Sequence, residues 1–309
     1  MGAAMMENFT YDHLVKAKGV QMAERLAYID FLLFFKGGLS RVELFEFFGL
    51  KEAAASQAIT EYRSIRAKNV EYDRRAAKNV ILRSTYQPLI TWDAEVALSM
   101  LASGFNKNKL KDEPLLPFAR VGLRPKRLDV NIVSKVTRAI SEKIGIKCHY
   151  LSGSGKHSER LLFPTAFFYD GNNWMFRAYH KDMNGNGGSF KCFDFSRVAS
   201  VEELTALPAS TNEKIEQDAD WHITTPIHLE LHPDLSEADK SRLRYEFDID
   251  ESTDSFVMNV KAVLFYYLVD LWKIDVQVSA SNRVESFNFI LKNGDMLQHL
   301  KCMENVFKA

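Results

Sequence analysis

Two runs decide the reading of this chain: Trp174-Met175-Phe176-Arg177-Ala178-Tyr179-His180, and Phe190-Lys191-Cys192-Phe193-Asp194-Phe195, which leads into Ser196-Arg197-Val198. Both are aromatic and alternating, and the loop between them holds Asn184-Gly185-Asn186-Gly187-Gly188. Alternation around an Asn/Gly loop predicts a β-hairpin. Each run carries cations among its aromatics: Arg177 and His180 on the first, Lys191 and Arg197 on or just past the second. A core strand rarely carries Arg unless the charge is paired or meets an anion. Two readings stay open. Arg177 and Arg197 pair with Asp170, Asp194 or the Glu202-Glu203 pair, or the cations face a ligand. Period-two spacing puts Lys191 and Phe193 on one face of their strand. Aromatics beside cations suit stacking a base and holding a phosphate.

Outward from the hairpin, strands are expected over 146–152 and 160–169, after a helix that Asp129 caps and that runs to Ile144 with Ile132, Val133, Val136 and Ile140 on one face. One helix with several short antiparallel strands suggests a small barrel-like sheet. Pro208 and the polar stretch 209–219 close it. Behind lie an expected strand over 221–231, a helix capped by Ser236 and running to Phe247, a strand over 256–259, and a very apolar helix over 260–272. A helix apolar nearly all round belongs in a core or an interface, so a mixed α/β domain that helps a dimer form is expected there. Two short helices are expected in the tail, over 284–307.

At the front, residues 22–35 place Leu26, Ile29 and Leu33 at helical spacing, and Gly37-Gly38 stops the helix. Ser40-Arg41-Val42-Glu43 fits a capping box opening a short helix to Phe47 or Phe48. Gly49-Leu50 makes a turn, and a third helix runs over 52–67 with Ala55, Ala58, Ile59, Tyr62 and Ile65 as its apolar stripe. That order is a helix-turn-helix pattern. Ser56, Gln57, Thr60 and Arg63 on the outer side are types that bond base edges and phosphates, with Lys51 just before them. Short strands over 70–73 and 79–83 then flank Arg74-Arg75-Ala76-Ala77-Lys78, a wing with a basic tip. The alternative is a small helical domain whose cations are merely solvated. A helix capped by Thr91 or Asp93 follows. The Pro-broken stretch 104–127, with seven Lys/Arg against Asp112 and Glu113, reads as a linker.

The formal net charge of the 309 residues is zero, but its distribution is uneven. From Lys51 to Arg83 eight basic residues face four acidic ones, and over 210–256 thirteen acidic residues face four basic ones. A basic front and an acidic rear suit a protein that touches an anion at one end. Three scattered cysteines argue for a reducing compartment and against a disulfide framework or zinc module. The start lacks the features of a signal peptide, and no apolar run approaches a membrane span, so a cytoplasmic protein is expected.

Catalytic patterns fail on inspection. Around Gly155-Lys156 a phosphate loop needs Gly at 150 and Ser or Thr at 157, where the chain has Tyr150 and His157. His228 and His232 lie too far apart on a strand to share an ion. No Gly-x-Ser-x-Gly elbow occurs, and Cys192 sits mid-strand. No enzyme, metal or cofactor is expected.

These runs resemble the bacterial WYL-domain transcriptional regulators, in particular the repressors found beside phage-defence gene clusters of BREX and CBASS type. The name-giving Trp-Tyr-Leu is Trp174-Met175-Phe176 here. Tyr150-Leu151-Ser152, Arg160 with Pro164, Arg177-Ala178-Tyr179, Phe190 to Phe193 and Ser196-Arg197-Val198 follow the family's order and spacing. Phe48-Gly49-Leu50 and Tyr72-Asp73 at the front are similar too, as are Leu235-Ser236-Glu237-Ala238 and Leu264-Phe265-Tyr266-Tyr267-Leu268 at the rear. The resemblance implies an α+β multidomain chain. Its parts are a winged helix-turn-helix (1–90), a helical basic linker (91–127), an SH3/Sm-like WYL barrel that senses ligand (128–207) and a C-terminal α/β dimerisation domain (208–309). It implies a homodimeric repressor on an inverted repeat of double-stranded DNA, with a nucleic-acid fragment or nucleotide as effector. Carried over, the effector cluster is Ser152, Arg177, Lys191, Phe193 and Arg197. Met175 stands where the family has Tyr, so this chain lacks the hydroxyl of that position. The competing expectation is an adaptor whose rear domains bind a protein partner on DNA.

Overall fold

The computed structural model describes residues 9–111, 116–117, 127–153, 157–182, 187–276 and 286–307. Most of the Asn/Gly loop, the Gly155-Lys156 turn and much of the basic linker lie outside the described residues. The architecture mixes α and β in two compact units: Met1–Phe168 with Asn173–Glu213, and Tyr169–Asn172 with Lys214–Ala309.

In the first unit α1 (Tyr11–Lys18) leads to α2 (Val20–Lys36), the central helix. Leu26, Ile29, Leu33 and Phe35 on α2 are fully buried, each contributing about 1.5–3 kcal/mol. Gly37 ends α2 in a left-handed conformation at φ 83°, where a Cβ would be strained and would also meet Glu142. The chain then forms a strand rather than only a stop: β1 (Gly38–Leu39) pairs with Asn79 and Val80. Next comes α3 (Arg41–Phe48). Ser40 Oγ accepts from Glu43 N at 3.1 Å and Glu43 Oε2 accepts from Ser40 N at 2.7 Å, which completes the capping box. After Gly49, α4 (Glu52–Ile65) buries Ala55, Ala58, Ile59 and Tyr62. The wing strands are β2 (Val70–Asp73) and β3 (Lys78–Ile81), giving a sheet of order β1-β3-β2. Asp93, not Thr91, caps α5 (Ala94–Ser103), through Val96 N at 2.8 Å.

α6 (Val130–Glu142) begins at the Asp129 cap and ends at Lys143, whose φ of 54° turns the chain. Ile144 therefore opens β4 (Ile144–Tyr150) instead of closing the helix. With β5 (Ser158–Tyr169), β6 (Trp174–Lys181), β7 (Gly188–Asp194) and β8 (Val198–Pro208) it makes one sheet of order β7-β6-β5-β4-β8. β8 was not expected from sequence; Glu202-Glu203 breaks the alternation of its apolar residues, and pairing with β4 from Tyr150↔Val198 to Ile144↔Pro208 makes it a strand. One continuous core runs from Tyr11 to Val201 through the helices and this sheet.

In the second unit Asp218 caps a single helical turn, α7 (Ala219–His222), so Trp221 is helical and the strand starts later, as β9 (Thr224–Leu231). Ser236 caps α8 (Glu237–Phe247). β10 (Ser255–Lys261) pairs with β9 as far as Lys261↔Thr224, and that pairing claims Val260 and Lys261 for the sheet. The apolar helix is therefore shorter than expected: α9 (Phe265–Trp272). β11 (Ile274–Asp275) and β12 (Phe289–Leu291) complete the order β10-β9-β12-β11, and α10 (Gly294–Leu297) and α11 (Glu304–Phe307) follow. Ile227, Leu229, Phe265 and Phe289 centre the core. No helix among the described residues is long and apolar enough to cross a membrane.

Candidate DNA-reading face and cationic rim

The recognition-type helix α4 is held from behind by one buried acid. Asp30 on α2 is fully buried and accepts from Tyr62 Oη at 2.7 Å, Tyr86 Oη at 2.8 Å, Trp92 Nε1 at 2.8 Å and Leu89 N at 3.0 Å. Burial pushes its carboxyl pKa up, and the donors from Tyr62, Trp92, Leu89 and Tyr86 oppose that. Asn69 Nδ2 donates to Tyr62 Oη at 3.0 Å, so the Tyr62 proton is directed at Asp30. The sequence hid this hub, because Asp30 sits within the apolar run Leu26 to Phe35 and its partners lie 32 or more positions away.

With its apolar stripe fixed, α4 turns Ser56, Gln57, Thr60 and Arg63 outward; Gln57 and Thr60 are exposed, and Ser56 and Arg63 are half-buried. Two of these side chains are engaged locally. Thr60 Oγ1 donates to the Ser56 carbonyl at 2.9 Å, and Arg63 Nη2 donates to Asn79 Oδ1 on β3 at 2.8 Å. Arg63 thus ties the helix to the wing. Lys51 is the exposed N-cap position of α4. Arg41, at the first position of α3, joins this face: its guanidinium lies 3.4 Å from Ser56 Oγ and 3.3 Å from Glu52. The capping box pointed to that position, since the residue after an N-cap stands at the helix mouth.

At the wing tip Asp73 Oδ1 accepts from the amides of Arg75 (2.8 Å) and Ala76 (3.2 Å), and Ala77 closes the turn at φ 50°. Arg74 and Arg75 project into solvent, and Lys78 is half-buried opposite Asp73.

The second candidate site lies at the β4–β7 end of the five-stranded sheet. Register pairs Phe176 with Phe193, Ala178 with Lys191 and Arg177 with Cys192. Phe176, Phe193, Ala178 and Lys191 therefore share one face, and Arg177 and Cys192 the other. The structure brings Lys191 to His180, Nζ to Nδ1 at 3.4 Å. Below them Phe193 meets Tyr150 edge-on at 5.2 Å. Arg160, from β5, lies over both rings, 5.2 Å from Tyr150 and 5.9 Å from Phe193. Its Nε is buried with no hydrogen-bond partner among the described residues. Arg197 stands beside the Ser152-Gly153 turn, and its carbonyl accepts from Leu151 N at 2.9 Å. His180 is lowered from its ordinary value, by burial first and then by the charges of Lys191 and Arg160. Burial is the larger cause, and the two neighbouring cations add to it.

Arg177 does not join this rim. It is buried on the opposite face, where Nη1 meets Cys192 Sγ at 3.5 Å and the guanidinium lies over Phe190 at 5.9 Å. Arg197 does form the expected contact with Asp194, at 3.8 Å, while remaining half exposed. Phe193 is buried beneath Arg160 rather than offered as an open stacking platform. Arg160 and His180 belong to this rim and are not among the effector residues that the resemblance implies. Their signal was strand register, because only pairing shows which face each cation takes.

Residues 21–103 match the family described as the BrxR transcriptional regulator winged helix-turn-helix domain. Over 294 residues, 89% of this chain and 90% of the relative, the chain is 29% identical to a protein of Pseudomonas aeruginosa named DNA-binding transcriptional repressor CapW. A relative of the same name from Escherichia coli (strain KTE188) is 29% identical over 286 residues, 89% of this chain and 90% of its own length. One from Stenotrophomonas maltophilia is 24% identical over 90% of this chain and 95% of its own. A solved structure of proteasome accessory factor B/C of Arthrobacter aurescens overlays at a TM-score of 0.26 with 16% identity, covering 80% of this chain and 43% of that one, too slight a likeness to bear on the fold. The front of the chain thus matches a BrxR-type winged helix-turn-helix domain, in a sequence similar along nearly all its length to proteins named as DNA-binding transcriptional repressors.

Proposed function

We propose that the protein is a cytoplasmic, homodimeric DNA-binding repressor of a phage-defence operon, and not an enzyme. In this reading residues 1–90 read an inverted repeat, 91–127 link, 128–207 form a WYL-type barrel domain that senses an effector, and 208–309 dimerise. The observation that carries it is the pairing of α4's polar outer face with a basic wing tip, on residues that match a regulator's winged helix. Lys51, Ser56, Gln57, Thr60 and Arg63 would lie along the groove, and Arg74, Arg75 and Lys78 would meet phosphate. Dimerisation is supported by α9, where Tyr266 and Leu271 remain 46% and 45% exposed on an apolar helix.

The effector is an anion of nucleic-acid or nucleotide type, held by Arg160, Lys191, His180 and Arg197 beside Ser152. Arg177 supports the sheet from its other face. The effector would shift the dimer between geometries that do and do not match two half-sites. Footprinting on the DNA upstream of the protein's own coding sequence tests the reading. A short palindromic footprint is expected, and Arg74→Ala should lower the slope of log K against log salt by about one. A diffuse footprint that sharpens only with a protein partner, or an unchanged slope, overturns it.

A further inference from the structure

The wing is anchored at its base by a charge cluster. Arg83, two residues past β3, donates through Nη2 to Glu142 on α6 and through Nε to Glu203 on β8, the latter at 3.3 Å. Glu203 also receives Arg138 Nε at 2.9 Å and Nη2 at 2.6 Å, and Arg138 Nη1 donates to the Phe34 carbonyl at 2.6 Å. One carboxylate therefore holds both the last turn of α2 and the chain leaving the wing. The Arg138–Glu203 pair is buried, and losing either partner strands a charge. Arg83 and Glu142 are partly exposed, with side chains 30% and 22% accessible. Without Arg83, Glu203 keeps Arg138 and Glu142 meets water, so the unit still folds.

The hairpin is short but its tip is far from this anchor. Four-residue strands at about 3.3 Å per residue put Arg74 and Arg75 roughly 13 Å from the base. A tilt of about 10° there moves the tip by roughly 2 Å, more than a hydrogen bond to phosphate tolerates.

We propose that Arg83 is a positioning residue for DNA reading: clamped between Glu142 and Glu203, it fixes the tilt of the wing relative to α4 without itself touching DNA. The inference rests on the DNA-binding reading above. It also has a structural consequence that stands alone, because the hairpin should loosen when the clamp is cut.

The test uses the full chain with Arg83→Gln and, separately, Glu142→Gln. Arg83→Gln should weaken binding to the protein's own upstream DNA about tenfold. The salt slope should stay at the parent's value, since no bond to phosphate is removed. Amide exchange should quicken across Val70–Asp73 and Lys78–Ile81 while α4 keeps its protection. Glu142→Gln is the sharper variant: removing a negative charge would by electrostatics alone strengthen DNA binding, whereas loss of the clamp weakens it. Unchanged affinity, a slope smaller by about one, faster exchange throughout the unit, or tighter binding by Glu142→Gln each overturns the proposal. If the parent does not bind DNA, the functional reading fails, and hairpin exchange alone decides whether Arg83 positions the wing.

Discussion

Replacing Asp30 with Leu tests whether one buried carboxylate organises the winged-helix unit. The substitution keeps the forked four-atom shape, with bulkier methyls in place of the oxygens, and removes the acceptor that Tyr62, Tyr86, Trp92 and Leu89 N share among the described residues. Each stranded buried donor costs about 1–3 kcal/mol. Tyr86 retains a second acceptor, the Asp30 carbonyl at 3.2 Å, and so loses least. Relief from burying a carboxylate returns part of the loss. The net expectation is a destabilisation of about 4 kcal/mol, which lowers Tm by about 10 °C for a unit of this size. Asp30→Asn should cost about half as much, because an amide oxygen can still accept on one side while its NH2 faces further donors. Thermal unfolding followed by circular dichroism gives the size, and amide exchange at Leu89 gives the place. On the proposed function, DNA affinity should fall in parallel, since Tyr62 anchors α4 from behind. Should Asp30→Leu prove as stable as the parent or more so, the acid is a burden the apolar core would better do without, and the hub argument is wrong.

Other outcomes follow from the same geometry. Glu43 is raised by burial but brought below its ordinary 4.5 overall by the Ser40 amide and Lys36. Its contribution is therefore present above pH 4.5 and lost as pH falls through the lower folded value. Glu43→Gln should cost about 0.5–1 kcal/mol at neutral pH, with parent and variant converging in acid; a gap that persists at about pH 3 refutes the assignment. Arg160→Ala should weaken binding of a short 5′-phosphorylated oligonucleotide about 10- to 100-fold, whereas Arg177→Ala should lower Tm and leave that binding intact; calorimetry that shows the reverse restores Arg177 to the site. Gly37→Ala forces a side chain into left-handed backbone against Glu142, and should cost about 1–2 kcal/mol or more, read by urea denaturation.

The local code was legible from the residues alone. Ser40 and Glu43, Asp129 and Ser236 announced helix starts, Asp93 did so beside Thr91 as an equal candidate, and the apolar stripe of α4 announced which side is buried, because capping and periodicity act within a few residues of chain. The order of helix, short helix, turn, helix and wing followed from the same short-range rules. The tertiary structure decided what depends on partners distant in sequence. β8 carries Glu202-Glu203 at its centre and became a strand by pairing with β4, and Val260-Lys261 left the apolar helix because β9 offered them a ladder. Asp30 acquired its meaning from residues up to 62 positions away.

The hairpin shows the division most clearly. Its sequence determined that cations and aromatics alternate along two strands. It left open which cations meet, because each strand has two faces and only register assigns them. Pairing Phe176 with Phe193 and Arg177 with Cys192 sent Arg177 to the far side and left Lys191 with His180, while packing brought Arg160 in from β5. Composition specified cations among aromatics; sheet geometry chose which of them meet.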